Sequence, residues 1–123
     1  MSDWRQVATE NFSAALELVQ HHWRSALSRT YYAAYARITA GLERIGVTFP
    51  DGQEGPSHKK LPALVENSFT RAGNPGWRLS VLISELYRLR IMADYRPSTN
   101  ISAVAVRDAA RMMQEVFRLM ERL

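Results

Sequence analysis

Cysteine is absent from the 123 residues, which excludes a disulfide scaffold and any thiolate metal site. Lysine is almost absent: Lys59 and Lys60 are the only two, so fourteen of the sixteen basic side chains are arginines. No apolar run approaches the length of a membrane span, and charges interrupt the opening MSDWRQVATENF, so neither a transmembrane segment nor a signal peptide is expected. No stretch alternates apolar and polar residues between turn signals, which argues against a sheet. Fixed-period repeats and low-complexity tracts are missing as well. So are a glycine-rich phosphate loop, a His-Glu-x-x-His pair and an acidic metal cluster. His21 and His22 are adjacent and diverge on a helix, which makes them a poor metal pair. Neither a metal nor a cofactor is expected.

What is present is ordinary globular material. At 14.0 kDa, with 46% hydrophobic and 23% charged residues, the chain is not disordered by composition. Its length suits one domain, residues 1–123, burying roughly two-thirds of the unfolded surface. A cytoplasmic protein is the expectation. The net charge of +4 and pI near 9.9 fit a nucleic-acid or nucleotide-phosphate partner, and fit simple solubility equally well. The arginine bias favours forked recognition of phosphates or of carboxylates.

Apolar spacing predicts an all-α antiparallel bundle of four long helices plus a short one. Trp4, Ala8, Phe12, Ala15 and Val19 mark the first helix, with Asp3 as N-cap or first-turn acid and His21-His22 at its end. Leu27, Tyr31, Ala34, Ile38, Leu42 and Ile45 mark the second, stopped by Gly46. The segment VTFPDGQEGPS, residues 47–57, reads as a loop and as the most mobile stretch. A third helix is expected from about Ser57 to Ala72, with Leu61, Leu64, Val65 and Phe69 inward and Pro62 in its first turn. After the turn Gly73-Asn74-Pro75-Gly76, the fourth carries Leu79, Leu82, Leu86, Leu89 and Ala93 and ends at Pro97. The last presents Ile101, Ala105, Ala109, Met112, Val116, Leu119 and Leu123. A flanking stripe of Val106, Ala110, Met113, Phe117 and Met120 makes it apolar over more than half its circumference. It should therefore sit centrally in the bundle or pair with a second chain.

Two segments carry candidate chemistry. Ser28-Arg29-Thr30-Tyr31-Tyr32-Ala33-Ala34-Tyr35 sets rings among small residues, and three tyrosines in place of phenylalanine ask for hydroxyl partners once buried. Late in the fourth helix, Tyr87, Arg90 and Asp94 share one face, with Tyr95 and Arg96 following. His58 precedes Lys59-Lys60 at the expected start of the third helix, where a helix N-terminus and two ammonium groups favour an anion; a capping or solvent-facing imidazole is the alternative.

Taken together, Ser28, Arg29, Tyr31, Tyr32, Ala33 and Tyr35, then His58, then Leu86, Arg90, Ala93, Asp94 and Tyr95 resemble the HEPN domain family, most closely its small prokaryotic branch. The resemblance covers nearly the whole chain. It implies a helical bundle that commonly dimerises. Many such domains are metal-independent endoribonucleases; small ones are often encoded beside a minimal nucleotidyltransferase as a toxin–antitoxin or defence pair, and others bind RNA or nucleotides without cleaving. The nuclease members resemble one another in an arginine followed a few positions later by histidine. Here Asp94 stands where that histidine is expected. Aspartate is a weak base near neutral pH, and its charge repels the scissile phosphate.

The leading expectation is an RNA- or nucleotide-binding subunit of a toxin–antitoxin or defence complex with a nucleotidyltransferase-like partner, or a homodimer. Its functional cluster is Arg90, Asp94 and Tyr95. Arg29, Arg88, Arg96, His58, Lys59 and Lys60 are candidate phosphate contacts. The alternatives are a dimeric metal-independent endoribonuclease using the same cluster, and a non-catalytic adaptor docking through its last helix.

Overall fold

A computed structural model describes residues 3–50, 54–73 and 75–122. Five helices occur among them, with no strand: α1 Trp4–Leu18, α2 Trp23–Arg44, α3 Leu61–Arg71, α4 Gly76–Tyr95 and α5 Ala103–Leu119. The expected all-α bundle of four long helices and a short one is what forms. Asn74 of the third turn and Leu123 of the last stripe lie outside the described residues.

Helix α2 is the central element, which corrects the expectation that the last helix might be. Alanines at 26, 33, 34 and 36 and glycine at 41 let neighbours approach on every side, and all five are buried. A Cβ on Gly41 would sit 2.1 Å from the Met120 methyl and 3.3 Å from the Phe69 ring. Helix α5 instead lies to one side, burying Val106, Ala109, Met113 and Val116 while Val104 stays exposed. Its flanking stripe is the better covered one, with Val106, Met113 and Met120 buried and Phe117 meeting Phe12 of α1 at 4.7 Å between ring centroids. Ile101, Ala105, Met112 and Leu119 of the first stripe are only half-buried. The main core joins Leu27, Tyr31, Ile38 and Leu42 of α2 to Leu61, Val65 and Phe69 of α3 and to Leu79, Leu82 and Leu86 of α4. Each buried aliphatic or aromatic side chain of this kind contributes about 1.5–3 kcal/mol.

The ends of the helices follow local chemistry. Gly46 takes φ +86°, and the Val47 and Gly46 amides donate to the Leu42 and Glu43 carbonyls, a Schellman closure that needs the left-handed residue. Ser102 accepts from the Ala105 amide at 3.0 Å, so α5 starts at Ala103 and leaves Ile101 in the connection. Helix α3 starts at Leu61 rather than near Ser57, because residues 58–60 form a turn with Lys60 at the N-cap.

The segment after α2 turns back along it before α3 begins. Expected to be the most mobile stretch, it is tied down over its described second half: the Tyr35 hydroxyl donates to the Pro56 carbonyl at 2.7 Å, and the Trp4 indole to the Glu54 carbonyl at 3.3 Å. Gly55 is packed between them, since a Cβ there would lie 2.6 Å from the Tyr35 hydroxyl. This return delivers His58 to the middle of α2.

Candidate functional site

One face of α2 sets the site. Ser28 and Tyr32 are one turn apart, so both project toward the antiparallel end of α4. The Tyr32 hydroxyl accepts from the Arg90 guanidinium at 2.8 Å, and Ser28 Oγ donates to Asp94 Oδ2 at 3.4 Å. Within α4, Arg90 Nε lies 2.9 Å from Asp94 Oδ2 four residues on. That nitrogen makes no aligned hydrogen bond, so the contact is ionic proximity rather than a directed bond. The last partner is the Tyr95 hydroxyl, at 3.4 Å from the Arg90 terminal nitrogen.

The guanidinium is also walled by rings. Its carbon sits 5.2 Å from the Tyr32 ring centroid and 5.2 Å from that of Tyr95, within range for cation–π attraction. The Arg90 side chain is 13% exposed and that of Asp94 29%, while Tyr95 is 63% exposed. The pair is therefore largely covered, while Tyr95 stands out into solvent beside it. Burial works to lower the Arg90 pKa, but Tyr32, Tyr95 and Asp94 outweigh it and hold the group above its ordinary value. The charge is permanent.

Behind this pair lies a tyrosine cage around His58. Its ring is 4.7 Å from Tyr35 and stacks on Tyr87 at 6.0 Å and 12°, and its Nδ1 meets the Tyr31 hydroxyl. Burial first, and then the charge of Arg90, depress the His58 pKa below 6.5. Burial foremost, and then the crowding of Tyr35, Tyr87 and Tyr32, pushes that of Tyr31 well up. At neutral pH both groups are uncharged. Tyr31 is fully buried and no second acceptor among the described residues reaches its hydroxyl, so the phenol donates to Nδ1. The imidazole proton then resides on Nε2. His58 is a donor, not a free base.

The expected site residues separate accordingly. Arg90, Asp94 and Tyr95 are together. Arg96 follows at the exposed end of α4. Arg29 is turned to α1, donating to Asn11 Oδ1 at 3.1 Å. Arg88 faces α5 and pairs with Glu85, because two residues along a helix is more than half a turn from Arg90. His58 is neither a helix cap nor solvent-facing as its alternatives had it; its ring turns inward to Tyr31. Lys59 and Lys60 stay exposed in the turn before α3, so the anticipated anion site of these three does not form as a unit. The sequence puts Tyr32 and Tyr87 in the two candidate segments but outside the Arg90, Asp94 and Tyr95 cluster, and the structure brings Tyr32 to Arg90 and Tyr87 to His58. The signal for Tyr32 was present in the sequence: a phenol that needs a hydroxyl partner once buried.

Among the described residues no three metal-ligating side chains converge, and no helix is long and apolar enough to cross a membrane. A five-helix bundle presenting one arginine between two phenols and a carboxylate defines a helical module with a polar, cation-centred site. Residues 1–123 match the HEPN domain. The chain belongs to the HEPN domain family, a helical fold related to nucleotide and RNA functions. No curated protein matches the chain.

Proposed function

We propose that this HEPN domain binds single-stranded RNA or a nucleotide through a phosphate seated at Arg90, without cleaving it. The observation that carries the reading is the Arg90 guanidinium held by the Tyr32 and Tyr95 hydroxyls and flanked by both rings. A guanidinium fork suits phosphate, and an exposed ring beside it suits base stacking. Cleavage without a metal needs a base for the 2′-hydroxyl proton. Asp94 is engaged with Arg90 and Ser28, and the Nδ1 lone pair of His58 is taken by Tyr31. Neither is disposed to serve.

The finer part of the reading comes from the resemblance to the small prokaryotic branch: the chain acts as the helical subunit of a toxin–antitoxin or defence complex, beside a nucleotidyltransferase-like partner or a second copy of itself. Co-expression with such an enzyme followed by size-exclusion chromatography tests the partner, and separate elution removes it.

Titration of labelled single-stranded RNA tests the site. Affinity is expected to fall as salt rises, with a logarithmic slope of about −0.7 per phosphate contact. Arg90→Ala is expected to weaken binding about tenfold and to reduce that slope by about 0.7. Affinity indifferent to both overturns the proposal. Incubation with RNA in EDTA is expected to leave the strand intact; 2′,3′-cyclic phosphate ends that vanish in Arg90→Ala would establish the nuclease instead.

A further inference from the structure

The Arg24 guanidinium, on the first turn of α2, is surrounded by backbone carbonyls of the end of α4 and the connection after it. It donates to Met92 O at 3.3 Å, Ala93 O at 3.0 Å, Arg96 O at 3.2 Å and Pro97 O at 3.1 Å, and to the Thr99 carbonyl. The last carbonyls of a helix have no partner within it. Pro97 prevents the chain from continuing the helix to supply one. Met92 O already accepts from the Arg96 amide at 3.3 Å and Arg96 O from the Thr99 amide at 3.1 Å. Ala93 O, whose helical donor would have been the missing Pro97 N–H, is therefore the helix carbonyl left to Arg24. The same planar fork reaches the turn beyond and places a cation at the negative end of the α4 dipole.

Arg24 also stands in register with the site. Residues 24, 28 and 32 lie on one line along α2, a turn apart. The first holds the α4 terminus, the second meets Asp94 at 3.4 Å and the third meets Arg90 at 2.8 Å. Asp94 and Tyr95 lie directly between the Ala93 and Arg96 carbonyls that Arg24 collects. The backbone that aims both side chains is therefore fixed from α2, not by α4 alone. Tyr95 needs such an anchor, because it is 63% exposed and its hydroxyl is only 3.4 Å from the group it attends.

We infer that Arg24 is a positioning residue: it touches no ligand, and it sets the place of Asp94 and Tyr95 around Arg90 by clamping the end of α4. The part of the inference that concerns affinity rests on the RNA-binding reading above, while the part that concerns Tyr95 does not.

The test uses the full chain labelled with 3-fluorotyrosine, with the Tyr95 resonance assigned by Tyr95→Phe, and the same RNA titration. In Arg24→Ala the Tyr95 resonance is expected to shift or broaden while that of Tyr35 holds. RNA affinity should drop about fivefold with the salt slope of the parent chain, since no phosphate contact is lost. Millimolar guanidinium should restore both signals, which a merely weakened fold would not do. Arg24→Lys keeps the charge but cannot reach five carbonyls; it should show the same losses, and it carries the test if the alanine variant does not fold. A folded variant with unchanged Tyr95 resonance and unchanged affinity overturns the inference. So does a salt slope reduced by about 0.7, which would make Arg24 a phosphate contact itself. Failure of the parent chain to bind RNA would sink the binding reading alone, and the Tyr95 resonance would still decide the role of Arg24.

Discussion

At the scale of single residues, the site is a set of hydroxyls arranged around one permanent cation. Tyr32 supplies the shortest of these contacts, 2.8 Å to Arg90. Hydrogen bonds to charged groups contribute about 1.5–3 kcal/mol, and partial exposure of Arg90 places this one at the low end. Tyr32→Phe is therefore expected to cost about 1.5 kcal/mol in urea unfolding and to weaken RNA binding less than Arg90→Ala does. His58 gives a pH signature. Its folded pKa is depressed below the unfolded value, so between the two values the unfolded chain binds more protons and stability increases with pH. The contribution is complete above about pH 6.5 and is lost as pH falls toward the folded pKa. Melting temperatures measured from pH 7.5 downward should decline across that window in the parent chain and less steeply in His58→Gln. Parallel curves would show that the imidazole is not held neutral.

Among the elements, two glycines test two different constraints. Gly46 closes α2 at φ +86° with open space around it, so Gly46→Ala meets only the left-handed backbone penalty, about 1–2 kcal/mol. Gly76 opens α4 against α3: a Cβ there would lie 2.5 Å from the Glu66 carbonyl oxygen and 3.0 Å from the Thr70 amide nitrogen. Backbone cannot step aside as a side chain can. Gly76→Ala should therefore cost about 2–3 kcal/mol and separate α3 from α4. Chemical denaturation of the two variants checks the order; equal losses would mean that the α3–α4 contact yields easily.

Across the whole molecule, the basic side chains do not act as one field. Arg88 pairs with Glu85, Arg111 with Asp108 and Arg78 with Glu115, all on the α4–α5 face. The Arg88 and Arg111 pairs are exposed and contribute less than about 1 kcal/mol each, whereas Arg78 grips Glu115 through two nitrogens at 2.7 and 2.8 Å in a part-buried pair. The cation on which the RNA-binding proposal rests lies instead on the Arg90–Arg96 side of α4, where Arg90 is itself 2.9 Å from Asp94. Arg88→Ala should accordingly leave RNA affinity within about twofold and stability within about 1 kcal/mol of the parent. Equal loss in Arg88→Ala and Arg90→Ala would mean that diffuse charge, not a site, attracts the strand.

The sequence by itself determined the helices, because their apolar stripes, Gly46 and Pro97 are local signals that act within a few residues. It also determined the nearness of Arg90 to Asp94, which follows from one turn of helix, and the membership legible in the tyrosine and Arg-x-x-x-Asp-Tyr segments. Tertiary structure alone decided that α2 is central, since hydrophobic spacing says that a face is buried but not against what. It alone turned His58 away from the lysines and into the tyrosine cage, through a returning loop held by Tyr35 and Trp4. Arg24 was silent in the sequence for the same reason: its partners are carbonyls 68 to 75 residues away, and a backbone carbonyl carries no residue identity that a sequence can display.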